Sequence, residues 1–311
     1  MYFLHLFILA LLALFSGIIL VGISRKISAR IHWRYGPPLL QPLIDVIKLF
    51  SQNSISHGFF FDFGIILTLV GSFILIFFIP VSNLYVMNSG GLIAVIYIML
   101  LSPFGLAISA AAGANPNASI GITRKFLLSF AYEIPLLLIL LSVMTHYNTI
   151  SLVKIVDMQV DSGWSFGSGT LILSGISYLL ILPAILGIRP FEVVNASQEI
   201  SSGPLTEFGG KHLAFASIQH SLHTYAVLAL FVDLFLGGSS LFGLLKPISS
   251  TIWGSLIGIL VFLVKVAVLM IFCLFINAVF PRYRIDQAMK YIWKWPLLTA
   301  FVGLLIVSLL N

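Results

Sequence analysis

Charged side chains are scarce in this sequence. Asp, Glu, Lys and Arg make up 8% of its 311 residues, whereas a soluble domain carries roughly 25%. Hydrophobic residues make up 59%, and the mean hydropathy is +1.11. Because no soluble fold of this length could bury so much apolar surface, the composition excludes a soluble protein and indicates an integral membrane protein.

The sequence also has only one cysteine, and it lacks several familiar motifs. Cys273 lies inside an apolar run, so this chain alone can form no disulfide framework and hold no iron–sulfur cluster. Any redox chemistry must therefore take place in another subunit. There is no repeat of about 20 to 50 residues, no low-complexity tract and no phosphate-binding loop. We expect residues 1–311 to form a single integral membrane domain that lies in the lipid bilayer and does not bind nucleic acid.

Eight apolar runs are long enough to cross a bilayer, which takes about 20 residues as a helix. They cover residues 2–21, 63–80, 91–111, 126–145, 170–188, 214–236, 255–280 and 296–310. In the first run the basic residues follow the apolar core, and no small-residue cleavage site is present, so we interpret it as a retained helix. The expected fold is all-α and polytopic, with about eight transmembrane helices plus amphipathic surface helices.

Basic residues are concentrated in alternate loops. The loops after the first, third, fifth and seventh spans hold 13 of the 16 Lys and Arg residues, which the positive-inside rule places in the cytoplasm. The exceptions are Lys154 and Lys246 in opposite loops and Lys265 within a span. The predicted cytoplasmic loops are residues 23–58, 112–125, 189–213 and 281–295. Both termini of this multi-pass cell-membrane protein are therefore predicted to face outward.

The first of these loops contains an amphipathic segment that follows Pro37 and Pro38. One helical face holds Leu40, Leu43, Ile44 and Ile47, and the other holds Gln41, Asp45, Lys48 and Gln52. This spacing predicts a helix that lies along the membrane surface. It could serve as a simple interfacial anchor or as a docking platform for a soluble partner.

A polar segment with three carboxylates, RPFEVVNASQEISSGPLTEFGGK (189–211), separates two spans. Because proline suits the first turn of a helix and Ser-Gly-Pro ends one, a short helix is predicted between Pro190 and Ser202. On that helix Glu192, Asn195 and Glu199 would form one acidic stripe.

Glu207 follows this predicted helix, in the turn TEFGG. The three carboxylates could bind cations, relay protons or hold a basic partner surface. The simplest alternative is a solvated amphipathic loop helix.

Three charged residues, Glu133, Asp233 and Lys265, fall inside predicted spans. Each costs about 2.5–3.5 kcal/mol at the centre of a membrane helix, so such residues are usually retained for pairing or transport. Glu133 precedes Pro135, which should bend the helix, and we expect this carboxylate to exchange a proton near neutral pH. We expect Lys265 to supply its counter-charge. A fixed ion pair that only specifies helix packing is the alternative.

His220 and His223 stand three residues apart near the start of the sixth span. A pair on one helix cannot ligate both sides of a haem, and a metal site would need further ligands. We therefore expect these side chains to line a polar region or relay protons, and we predict no metal site.

Five segments taken together resemble a known family. They are ARIHWRYGPPLLQPLIDVIKLF (29–50), GITRKFLLSFAYEIP (121–135), RPFEVVNASQEISSGPLTEFGG (189–210), LFLGG (234–238) and PRYRIDQAMKYIWK (281–294). In this order they are similar to the eight-helix membrane subunit shared by respiratory complex I and the membrane-bound, energy-converting NiFe hydrogenases. The sequence around QEISSGPLTEFGG is more similar to the hydrogenase branch, which includes relatives that reduce sulfur compounds.

The resemblance implies a subunit without redox groups of its own. It would lie beneath hydrogenase-like large and small subunits and an iron–sulfur subunit, whose Fe–S clusters and NiFe-type site carry the electrons. Antiporter-like membrane subunits beside it would move protons or sodium ions. No catalytic residue, cofactor-binding residue or metal ligand is expected in this chain.

The resemblance also assigns roles to particular residues. Those expected to handle protons or ions are Glu133, Glu192, Glu199, Glu207 and Lys265, to which the spans add Asp233 and His220. Those expected to dock the peripheral arm are Arg25, Arg34, Arg282 and Arg284, with Asp45 and Lys48 on the surface helix.

Some residues depart from the complex I pattern. Asn195 and Ser197 stand where complex I usually has carboxylates, His220 stands near another carboxylate position, and Asn277 stands near an arginine position. These differences weigh against a complete complex I proton path and quinone chamber.

Three functions remain open. The first is a coupling subunit of a hydrogenase-type complex, and the second is a quinone-binding subunit of a complex I-type dehydrogenase. The quinone function needs an amphipathic tunnel between the surface helix and helices one and six. The third is a stand-alone secondary transporter, although the inverted repeats and paired broken helices common in such proteins are not seen.

Overall fold

The structure, a computed structural model, describes residues 2–82, 84–86, 91–113, 115–241 and 252–310. Lys246 lies outside these ranges. The α-helices in the described ranges are α1 (Tyr2–Ile31), α2 (Gln41–Phe50), α3 (Phe59–Phe77), α4 (Leu92–Ala111), α5 (Pro116–Tyr147), α6 (Leu152–Ser162), α7 (Ile172–Leu186), α8 (Ser197–Ile200), α9 (Gly210–Phe235), α10 (Ile252–Val279) and α11 (Ile285–Leu310). Short 3₁₀ turns cover Ser165–Gly167 and Gly203–Glu207.

Each of the eight predicted spans is a helix, which confirms the prediction of an all-α, multi-pass membrane protein. The helices α1, α3, α4, α5, α9, α10 and α11 are long and apolar enough to cross a membrane. The remaining one, α7, has 15 residues, or about 22 Å at the usual rise of 1.5 Å per residue.

Several helices continue well beyond their apolar runs. α1 extends to Ile31, α5 begins at Pro116 and α11 begins at Ile285. The start of α5 is capped by Asn115, whose side-chain oxygen accepts a hydrogen bond from the backbone N–H of Asn117 at 3.0 Å. Because hydrophobicity marks only the part of a helix inside the lipid, the sequence did not predict these polar extensions.

The connection over residues 146–169 contains α6. Leu152, Ile155 and Gln159 are buried on one side of α6, and the Gln159 amide donates hydrogen bonds of 2.8 and 3.0 Å to the carbonyls of Asp233 and Leu234. This side chain therefore satisfies two of the free carbonyls at the end of α9.

The helix α9 occupies the centre of the protein. From Ser221 to Phe235 all of its residues are buried, and it packs against α1, α2, α3, α6, α7 and α10. Tyr178 of α7 donates a 3.0 Å hydrogen bond to the Val227 carbonyl. Polar groups on α9 therefore lie inside the protein, where neighbouring helices rather than lipid surround them.

α3 and α4 cross at very short range. A Cβ atom at Gly105 would lie 2.5 Å from the backbone nitrogen of Thr68, and the Ser109 hydroxyl donates a 2.9 Å hydrogen bond to the Phe61 carbonyl. Small residues at such crossings let two membrane helices approach closely.

We predict that Gly105→Val lowers the thermal stability of the protein. The added side chain has no space between α3 and α4, and overpacking of this kind costs about 1–3 kcal/mol. Thermal unfolding in detergent, followed by tryptophan fluorescence, would measure the effect. Gly169→Val is the matched control, because a Cβ atom at Gly169 meets nothing within 4 Å; equal unfolding midpoints for the two variants would contradict the close crossing.

Candidate functional site

Four connections meet at one end of the helix bundle, which we call the charged face. They are residues 32–58, residues 112–113 with 115, and residues 187–209 and 280–284. Ion pairs and short contacts join them, and the segment 189–209, called here the acidic segment, takes part in most of these contacts. We therefore describe the site from this segment outward.

The acidic segment does not form the predicted helix. Only Ser197–Ile200 is α-helical, and Gly203–Glu207 is a 3₁₀ turn. Tertiary contacts fix the first part of the segment, since the Arg189 N–H donates to the Asn277 side chain at 3.1 Å and the Pro190 carbonyl accepts from the backbone of the α10–α11 connection at 2.9 Å. The prediction that residues of this segment form one acidic stripe on a helix is therefore wrong.

Glu192 binds two arginines. Its Oε2 atom lies 3.2 Å from Nε of Arg189 and 2.9 Å from Nη2 of Arg282. The Arg282 side chain is only 18% exposed, so this pair is shielded from water more than an ordinary surface pair. Glu192 thus ties the acidic segment to the connection between α10 and α11.

The other two carboxylates of the segment have different partners. Glu199 pairs with Arg124 of α5 at 2.7 Å, and Glu207 lies 3.2 Å from Nε2 of His57 in the connection before α3. Each carboxylate of the acidic segment therefore binds a cationic or ionisable side chain from a different part of the protein. A change in the charge of one carboxylate would be felt by a different helix in each case.

Two glycines allow the acidic segment to pack on α5. Gly203 has φ +56, and a Cβ atom there would lie 2.6 Å from the Val194 carbonyl oxygen. A Cβ atom at Gly121 of α5 would lie 2.6 Å from the Pro204 ring. Both positions need glycine: a side chain at Gly121 would push the segment away from α5, and a side chain at Gly203 would be strained at positive φ and would meet the segment's own backbone.

The surface helix α2 forms as predicted, and Asp45 attaches it to α1. Oδ2 of Asp45 accepts a 2.7 Å hydrogen bond from Arg25, and Oδ1 accepts one of 2.9 Å from Gln41. These two bonds hold the pKa of Asp45 below its ordinary value of 3.8, and the bond from Arg25 has the larger effect. Ile44 and Ile47 on the opposite face are 53% and 62% exposed, as contact with lipid requires.

A cavity of about 310 Å³ lies behind the acidic segment and α2. Its charged and strongly polar lining residues are Arg25, Asp45, Lys125, Asn195, Gln219, His220 and His223. A second cavity of about 240 Å³ shares Val21, Arg25, Leu186 and His220 with the first and extends between α1 and α10. His220 lies on the central helix, and its side chain lines both of these internal spaces.

His220 and His223 of α9 therefore line a polar space inside the protein. The neighbouring Gln219 amide donates a 2.6 Å hydrogen bond to the Ser102 hydroxyl of α4. Nδ1 of His223 is buried and has no hydrogen-bond partner within the described part of the chain. Among the residues that the structure describes, no group of three or more His, Cys, Asp or Glu side chains could hold a metal ion. A role of His220 in proton relay stays a prediction.

The membrane charges are not paired as expected. Glu133 is partly exposed on α5, and no ion pair among the described residues includes it. The Lys265 ammonium instead binds backbone carbonyls at the end of α9 and interacts electrostatically with Asp233. The expectation that Lys265 is the counter-charge of Glu133 is therefore wrong.

The predicted docking residues fall into two groups. Arg25, Asp45 and Arg282 are engaged in ion pairs within the chain. Arg34, Lys48 and Arg284 are exposed on the charged face, and so are the rings of Trp33 and Tyr35, at 98% and 85%.

Sequence reasoning missed the partners supplied by the region before and within α3. Besides His57, these include Asp62, whose Oδ1 lies 2.7 Å from Nε2 of His212 and whose Oδ2 accepts from Ser56 at 2.9 Å. His212 is 150 residues from Asp62 in sequence. No local pattern could have predicted this contact.

Comparisons with known proteins find relatives that match nearly the whole chain. The model of the NADH dehydrogenase family matches residues 4–308. One of the subunits of the F420H2 dehydrogenase of Methanosarcina mazei is 28% identical over 325 aligned positions, which cover 95% of this chain and 87% of that protein. A chain in the structure of the membrane-bound sulfane sulfur reductase, an archaeal respiratory membrane complex, is 37% identical with a TM-score of 0.92, and 99% of each chain is covered.

We predict that Arg25→Gln raises the pKa of Asp45 towards 3.8, because the substitution removes the largest cause of its lowering. In the unchanged protein the contribution of Asp45 to holding α2 is complete above its unfolded pKa and is lost as the pH falls through the lower folded pKa. A ¹³C NMR titration of labelled aspartate in detergent would measure the pKa of Asp45 in the unchanged protein and in Arg25→Gln.

The control for this titration is Lys48→Gln, since Lys48 acts on Asp45 only through the smallest of the causes. It should change the pKa of Asp45 less than Arg25→Gln does. An Asp45 pKa that is equal in the unchanged protein and in Arg25→Gln would show that the Arg25 contact is not formed.

Proposed function

The chain belongs to the NADH dehydrogenase family, and on that basis we propose that it couples electron transfer to ion movement in a hydrogenase-type or sulfur-reducing respiratory complex. In this role it carries no electrons itself. Its task is to convert a charge change beside the charged face into a rearrangement of helices and protons within the membrane.

One observation carries the proposal: each carboxylate of the acidic segment binds an ionisable or cationic side chain from a different element. Glu192 is bound to the α10–α11 connection, Glu199 to α5, and Glu207 to the connection before α3. Partly buried charges respond strongly to a neighbouring charge because screening by water is weak. A redox step in a peripheral subunit would change the balance among these pairs and so act on three helices together.

The cavities offer a route from the acidic segment into the membrane. Leu205 of the segment lines the larger cavity, as do Asp45, Lys125 and His220. Proton exchange along these polar groups, followed by Glu133 on α5, would carry the change towards neighbouring antiporter-like subunits.

The proposed partners follow from the exposed residues and from the relatives. The peripheral arm, with hydrogenase-like large and small subunits, an iron–sulfur subunit, Fe–S clusters and a NiFe-type site, would dock on Trp33, Arg34, Lys48 and Arg284. A partner surface rich in carboxylates would suit these cations. The relatives named above are parts of larger assemblies, which favours a complex subunit over a stand-alone secondary transporter.

We predict that Glu207→Gln uncouples ion movement from electron transfer. The substitution keeps the shape of the side chain but removes the charge that faces His57. The purified complex in proteoliposomes should reduce polysulfide or protons with reduced viologen at close to the original rate. Its ion uptake per electron should fall at least about fivefold, the lower end of typical coupling between sites.

Asp161→Asn is the matched control, because it removes a carboxylate that is exposed on the opposite side of the protein. It should leave both electron transfer and ion uptake unchanged. Ion uptake by Glu207→Gln equal to that of the unchanged complex would rule out Glu207 as a coupling group.

A second function, binding of a quinone, is favoured by the position of the larger cavity. The quinone interpretation requires a space between α2, α1 and α9, and Pro42, Val21 and Ser217 of these helices line the cavity. Quinone-dependent turnover that is lost in a cavity-filling Ser217→Phe variant would support it. Turnover with sulfur compounds or protons and no response to added quinone would leave coupling as the only function.

A further inference from the structure

The end of α9 forms a cluster of carbonyl oxygens around the Lys265 ammonium. Nζ of Lys265 donates hydrogen bonds of 2.6, 2.9 and 2.7 Å to the carbonyls of Leu236, Gly238 and Ser240. The lysine residue is 8% exposed and Ser240 is 4% exposed. An ammonium has three N–H donors, so all of its donors are used on backbone oxygens.

Two glycines bring these carbonyls together. Gly237 and Gly238 have φ +66 and +54, a left-handed conformation that glycine adopts without strain. The Gly238 N–H donates back to the Val232 carbonyl at 3.1 Å, so the chain turns sharply where the helix ends. The negative end of the helix dipole points at the same place.

Asp233 adds a carboxylate to this cluster. The residue is fully buried, and neither carboxylate oxygen has a hydrogen-bond partner among the residues that the structure describes. Oδ1 lies beside the turn, 3.1 Å from where a Cβ atom of Gly238 would be. A buried carboxylate without donors is costly unless a cation stands next to it. Lys265 supplies the charge, since the two groups interact electrostatically, but it has no N–H left for the carboxylate.

The cluster lies deep in the helix bundle. Lys265 stands at the middle of α10, which runs from Ile252 to Val279. The Trp164 ring lies over Nζ, with 4.7 Å between Nζ and the ring centroid, and aromatic faces attract cations. In membrane transporters, helix C-terminal ends and unwound carbonyls at this depth coordinate cations that have lost their water.

We propose that this turn is a binding site for a monovalent alkali cation, in which the Lys265 ammonium serves as a tethered occupant. The site consists of the carbonyls of Leu236, Gly238 and Ser240 and the carboxylate of Asp233. When the lysine side chain is withdrawn, Na⁺ or K⁺ takes its place among the same oxygens. One carboxylate balances one positive charge, which is why the site suits a monovalent cation better than a divalent one.

Removal of the tethered ammonium tests the proposal. In Lys265→Met, the purified complex should become more heat-stable as NaCl or KCl replaces choline chloride at constant ionic strength. An unfolding midpoint that rises by on the order of 5 °C is expected for a site well above half saturation. Binding of ²²Na⁺ should increase by one ion per complex relative to the unchanged protein.

Two further variants separate a specific site from a general salt effect. Lys154→Met removes an exposed lysine elsewhere and should show no cation dependence beyond that of the unchanged protein. The double variant Asp233→Asn with Lys265→Met lacks both charges, and it should assemble without any preference among Na⁺, K⁺ and choline.

Two results for Lys265→Met would overturn the proposal. One is an unfolding midpoint that is the same in all three salts, with no additional ²²Na⁺ bound. The other is failure of the variant to assemble even at high NaCl and KCl, because a free cation would then be unable to replace the ammonium. The inference concerns cation binding by this chain and does not depend on the coupling function.

Discussion

Buried charged side chains in this protein must be neutralised by other groups of the protein. With only 8% charged residues in a membrane protein, each buried or partly buried carboxylate needs a cation or a set of donors nearby, since lipid supplies neither. The structure meets this need in two places. At the charged face, the acidic segment binds side chains from several elements, and at the end of α9 a lysine is surrounded by carbonyls beside Asp233. Because these contacts connect distant parts of the sequence, they also set how the connections pack on the helices.

The two places differ in their partners. At the charged face the pairs are between side chains that are only partly exposed, so water screens them less than surface pairs and they respond more to a nearby charge. At the end of α9 the three N–H donors of Lys265 are all used on backbone carbonyls, and Lys265, Ser240 and Asp233 are buried. The first arrangement suits a region that responds to a peripheral redox step, as proposed. The second suits retention of a cation, as inferred from the geometry of the turn.

The sequence predicted the helices well, because hydrophobic runs of spanning length report directly on contact with lipid. It predicted α2 from period-3.6 spacing after Pro37 and Pro38, and it marked Glu192, Glu199 and Glu207 as members of one polar segment. It failed on the conformation of that segment, since contacts to Asn277 and the α10–α11 connection override the local preference for a helix. It also failed on the partner of Lys265. The partners are backbone carbonyls brought together by the turn at Gly237 and Gly238, and every residue has a backbone carbonyl, so no residue type marks such a cluster in a sequence.

Infrared difference spectroscopy of the native complex tests the central claim most directly, by comparing the reduced and oxidised states in the carboxylate region. If the acidic segment senses the redox step, reduction should change carboxylate bands in the unchanged complex. Part of that change should be missing in a Glu199→Gln complex, where the pair with Arg124 is lost. Identical difference spectra with and without the Glu199 carboxylate, together with unchanged bands for the other two, would show that the segment does not respond to electron transfer.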